Sequence, residues 1–138
     1  MLKYAALNHE LTAVIRSICA RKERVIVDYA RENVVLRDSD LVFDVNQSII
    51  QAVPNGSMCA LKLSSFGVSE SPSRATSAVH RLIDTAKARG VQVCIDAEDV
   101  LYPNICYELM MAHNTTDTVH VYNTYQMYRR DALPEMRT

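Results

Sequence analysis

The sequence predicts an α/β fold built on parallel strands, from three observations. Apolar residues recur at helical spacing in several segments, short β-rich runs lie between them, and the two kinds alternate along the chain. Strands separated by helices pair in parallel through right-handed crossovers. The 138 residues, 49% hydrophobic and 22% charged, allow one modest globular domain and exclude a wholly disordered chain.

The elements follow in order. Leu11, Val14, Ile15, Ile18 and Cys19 share a helical face and predict a helix over 9–21. The run VIVDY at 25–29 predicts the first strand. Leu41, Val45, Ile49, Ile50 and Val53 line a helix that Pro54, Asn55 and Gly56 end by turn chemistry. MCALKL at 58–63 predicts the second strand. A third helix takes Ser73 as N-cap, Val79, Leu82, Ile83 and Ala86 as its apolar stripe, and Gly90 as its stop. VQVCI at 91–95 is the third strand, 105–113 a helix, and VHVYNTY at 119–125 the fourth strand, whose alternate tyrosines are expected to pack between sheet and helices. The chain divides into an N-terminal helix (1–24), the strand–helix body (25–131) and a C-terminal tail (132–138).

Composition narrows the function. Fifteen Lys+Arg against sixteen Asp+Glu give a net charge of −1, a poor footprint for nucleic-acid binding. The apolar runs are too short and too broken by charge for a membrane span. The three glycines, Gly56, Gly67 and Gly90, are too scattered for a phosphate-cradling loop. The four cysteines stand apart in apolar segments and read as buried free thiols, and the four histidines show no metal-ligand spacing, so no metal is expected. The basic, amphipathic N-terminus reads as a first helix rather than a secretory signal.

Three charged residues break the apolar pattern. Asp28, Lys62 and Asp96 each stand at or near the C-terminal end of a successive strand, the edge at which α/β sheets and barrels bind ligands. They predict a site or its remnant; the alternative is that they only pair with one another.

ALKLSSFG at 60–67, HRLIDTAKARGVQVCIDAED at 80–99 and VYNTYQMYRRD at 121–131 together resemble the middle of proline dehydrogenase (proline oxidase), most closely its eukaryotic, mitochondrial type. VDYARE at 27–32 resembles the family strand that carries an Asp-Tyr pair, so the likeness runs in order over about 25–131. The resemblance implies four parallel βα units forming about half of a TIM-type (β/α)8 barrel. It implies an FAD enzyme that oxidises L-proline to pyrroline-5-carboxylate by hydride transfer to the flavin. Lys62 matches the lysine that ends the LKLS strand near flavin and substrate, Asp96 the acid of the DAE motif, and Gln126 the flavin-contacting glutamine of NTYQ. Asp28 matches an acidic position on the earlier strand.

The sequence also departs from the family. DVLYP at 99–103 replaces a QTYLQP-like stretch, and the basic residues that hold the flavin phosphates and the arginine pair that clamps the substrate carboxylate have no counterpart. A complete barrel takes about 250 residues. Four strands alone would leave two sheet edges and one apolar face open, which other protein chains are expected to cover. The expectation is a fragment that is not catalytic by itself and serves as an accessory or structural subunit of a larger mitochondrial complex, in the matrix or at the inner membrane, with cytoplasmic residence the alternative. FAD is then expected only if the protein is active, and none in this chain alone. The alternative function is one piece of a split FAD-dependent proline dehydrogenase.

Overall fold

Helices and strands alternate as the periodicity predicts. The computed structural model describes residues 10–98, 103–130 and 132–136. The elements are α1 (Leu11–Ala20), β1 (Ile26–Asp28), a 3-10 turn (Leu36–Asp38), α2 (Ser39–Ala52), β2 (Met58–Leu61), a second 3-10 turn (Leu63–Phe66), α3 (Pro72–Ala88), β3 (Gln92–Ile95), α4 (Pro103–His113), β4 (Val121–Asn123) and α5 (Ala132–Glu135). The sheet runs in the order β1-β2-β3-β4, and every neighbouring pair is parallel.

The period of two along the strands separates a covered face from an open one. Cys59, Leu61, Val93, Ile95 and Val121 are buried in one core with Val42, Phe43 and Ile50 of α2, Val79, Leu82 and Ile83 of α3, and Leu109 of α4. Each such fully buried apolar side chain contributes about 1.5–3 kcal/mol. The alternate positions Ile26, Met58, Ala60, Gln92, Cys94 and Tyr122 point the other way, where no second layer covers them among the described residues; Ile26 is 59% exposed and Tyr122 38%. This open face is not wholly apolar, because the Gln92 side-chain amide donates to the Tyr122 hydroxyl at 2.9 Å. Tyr122 therefore does not pack between sheet and helices as expected. Val121 holds the covered side of β4, and alternation puts its neighbour on the open one.

Other boundaries also move. The N-cap position of α3 is Ser71, not Ser73, and its side chain makes no capping hydrogen bond; Pro72 fits the first helical position, where its fixed φ is pre-organised and its missing N–H costs nothing. β4 is shorter than 119–125: at its start the Asn114 side chain accepts the His120 and Val121 N–H groups. The region read as a tail holds α5, with Ala132 buried. Residues 1–9 and the DVLY segment at 99–102 lie outside the described residues.

All four cysteines are free. Burial pushes the Cys59 thiol up to about 12 and the Cys106 thiol to about 11, so both stay protonated and inert. Among the described residues no helix is long and apolar enough to cross a membrane.

Candidate functional site

Asp28 is the last residue of β1, while Lys62 and Asp96 are the first residues beyond β2 and β3. Asp28 pairs across the sheet with Ala60, and Ala60 with Cys94, so Lys62 and Asp96, two residues further on, emerge on the same open face. All three meet. The Lys62 ammonium lies 2.5 Å from Asp96 Oδ2, 3.4 Å from Asp28 Oδ2 and 3.9 Å from Glu32 Oε1. Its side chain is only 8% exposed, while the acids are 39% (Asp96), 43% (Asp28) and 58% (Glu32) exposed.

One cation thus faces three carboxylates at the mouth of the sheet. Burial works against the Lys62 ammonium, but the hydrogen bond to Asp96 and the charge of Asp28 outweigh it and raise the lysine above its ordinary range. Burial likewise works against the Asp96 carboxylate, and hydrogen bonds from Lys62 and Thr124 hold it below the usual range. The second oxygen of Asp96 accepts the Thr124 hydroxyl at 3.0 Å, and the same hydroxyl accepts the Ala97 N–H at 2.6 Å. Thr124 is therefore a positioning residue: it fixes the carboxylate rotamer that presents Oδ2 to Lys62.

Around this cluster the strand-end loops are stitched together. Glu98 accepts both the N–H (2.9 Å) and the hydroxyl (2.5 Å) of Ser64, and the Ser64 carbonyl accepts the Val34 N–H at 3.0 Å. The Ser65 hydroxyl donates to the Arg31 carbonyl. Gln126 joins from beyond β4, its amide donating to the Ala97 and Glu98 carbonyls at 3.2 and 3.1 Å. The structure thus brings Asp28, Lys62 and Asp96 into direct contact and sets Gln126 beside them through the loop after β3. Among the described residues no group of three metal-binding side chains forms.

Sequence reading missed Glu32, Ser64 and Thr124 as parts of this network, whereas Glu98 stands out in the sequence as an acid beside Asp96. The signal for Thr124 is present: Tyr122, Thr124 and Gln126 alternate, and the first of them marks the open face. For Ser64 no local signal exists, since partners 34 residues apart are joined only by the fold.

The sequence profile of proline dehydrogenase matches residues 11–138. The chain belongs to the proline dehydrogenase family. Members of that family are generally FAD-dependent. No curated protein matches the chain. Among solved structures it is similar to proline utilization A (PutA) from Bdellovibrio bacteriovorus inactivated by N-propargylglycine, with a TM-score of 0.72 and 11% identity. That match covers 94% of this chain and 17% of the other. A PutA mutant from Bradyrhizobium japonicum is similar at a TM-score of 0.67 and 18% identity, over 83% of this chain and 14% of that one. At such identities the likeness is one of fold. The proline dehydrogenase fold here is a four-stranded part of the barrel, and the chain spans less than a fifth of these relatives.

Proposed function

We propose that this chain supplies the lysine-centred part of a proline dehydrogenase site, and that the four strands by themselves do not oxidise L-proline. The chief support is the Lys62 cluster: a nearly buried ammonium held by Asp28, Asp96 and Glu32 at the ligand-binding end of a parallel sheet, on a face left open. A nearly buried lysine whose affinity for its proton is raised by acids at a sheet mouth is the kind of perturbed group that clusters at functional sites.

The residues present do not fit FAD unaided. Its pyrophosphate is dianionic and needs charge-assisted donors, each worth about 1.5–3 kcal/mol. The Lys62 ammonium is already shared among carboxylates, and the Gln126 amide is engaged by two backbone carbonyls. Cations for the phosphates and for the substrate carboxylate would come from strands beyond these four, on the same polypeptide or on another protein chain.

A second reading is an accessory subunit with no catalysis of its own. The Gln126 amide favours it, being turned onto the protein's own backbone rather than held out for a ligand. The resemblance to the mitochondrial type of the family supports a mitochondrial location, in the matrix or at the inner membrane, over a cytoplasmic one.

The test is to isolate the protein in its native assembly and measure bound flavin together with L-proline-dependent reduction of an electron-accepting dye. A yellow, proline-oxidising assembly that loses at least about tenfold of its activity in Lys62→Ala, equivalent to 1.4 kcal/mol of barrier, is the expected result. A flavin-free, inactive assembly sinks the first reading and favours the second.

A further inference from the structure

Away from the strand ends, two histidines read from sequence as isolated residues meet. His80 Nδ1 of α3 lies 2.7 Å from His113 Nε2 at the end of α4, with ring centroids 4.9 Å apart. His113 is 7% exposed, and its other nitrogen lies 3.6 Å from Asp84 Oδ1, one turn along α3 from His80. The next residue, Asn114, joins α4 to β4: its side-chain oxygen accepts the His120 and Val121 N–H groups at 2.9 Å each, and its amide donates to the Val121 carbonyl at 2.8 Å. The His80–His113 contact thus ties α3 to α4 at the point where α4 is tied to β4.

We infer that His80 and His113 form a proton-sensitive latch that holds α4 and β4 on the sheet near neutral pH and loosens them in acid. Two facing imidazole nitrogens 2.7 Å apart can share one proton. An extra proton on the outer nitrogen of His80 leaves that bond intact. One proton more on the pair keeps the contact in either tautomer; with both rings charged, two N–H groups face each other and a charge sits in a buried place. The surroundings reinforce this: burial first, then His80, Lys87 of α3 and His120 ahead of β4 disfavour the charged His113 and together hold its pKa below the ordinary value, although Asp84 opposes them. The sign follows. A histidine depressed in the folded state stabilises the fold above the unfolded value of about 6.5, and that stability is lost as pH falls below it. Loosening would shift Thr124 and Gln126, which follow β4, so the proton load at a helix interface reaches the strand-end cluster. The inference stands whether or not the chain serves proline oxidation.

Hydrogen exchange of the intact protein at pH 7.5 and 5.5, corrected for intrinsic exchange, tests it. In the wild type the opening equilibrium of α4 and β4 is expected to rise at the lower pH, up to the ceiling of about tenfold for one group one unit below its unfolded pKa. In His80→Gln the amide turns to donate or to accept, which removes the clash but leaves His113 buried, so the step is expected to shrink. His113→Gln, which removes the titrating group, is expected to be flat. No rise in the wild type, or an undiminished rise in either variant, overturns the inference.

Discussion

Lys62 sits where burial and charge pull in opposite directions, and charge prevails. The consequence for pH follows from the two shifts. Asp96 is held below its ordinary pKa, so its contribution is present above the unfolded value of about 3.9 and is lost as pH falls through the folded value. Lys62 is raised, so its contribution is complete below about 10.4 and lost only as pH rises through the folded value. The Lys62–Asp96 pair therefore stays charged across the neutral range. Thr124→Val tests its geometry, because it removes the hydroxyl given to Asp96 and strands the Ala97 N–H. A destabilisation of about 1–2 kcal/mol is expected, together with an upward move of the Asp96 titration midpoint in carboxyl NMR, and Thr124→Ser should restore both. An unmoved midpoint contradicts the positioning role. Asp28, Lys62 and Asp96 were legible in the sequence because each is a charge set into an apolar run. Ser64 was not, because a small hydroxyl residue just past a strand looks like ordinary turn chemistry until its distant partner is known.

At the scale of elements, the alternation of helix and strand was legible and the joints between them were not. Apolar spacing reports which face an element buries, so Val79, Leu82, Ile83 and Ala86 mark α3 whatever surrounds it. The two 3-10 turns carry too little periodicity to be read, yet they shape the site, since Leu63–Phe66 begins directly after Lys62. That turn ends on Gly67, whose φ is +69° and where a Cβ would stand 2.9 Å from the Leu36 Cα. The contact seats the first turn against the second. Gly67→Ala is therefore expected to cost about 1–3 kcal/mol through left-handed strain and the backbone clash. Denaturant unfolding checks this: a lower midpoint at unchanged slope is expected, and a neutral or stabilising outcome contradicts the role given to the turn.

Over the whole molecule, the helices cover one face of the sheet and leave the other to be met by something else. β1 and β4 are its outer strands, and Ile26 and Tyr122 stand exposed on its open face. The Asn123 side-chain oxygen, at the outer strand β4, is buried with no hydrogen-bond partner among the described residues, a vacancy that costs about 1–3 kcal/mol unless a donor arrives. Exposed edges and apolar faces of this kind invite association. The solved relatives are far longer chains, of which this one matches 17% in the Bdellovibrio bacteriovorus PutA. The most direct measurement is an experimental structure of the protein in its native assembly. Further parallel strands hydrogen-bonded to the outer edges of β1 and β4, with Met58, Cys94 and Tyr122 enclosed and basic side chains brought up to the Lys62 cluster, are the expected result. A monomer in water, with both edges and the open face bare and the Lys62 cluster unattended, would contradict it.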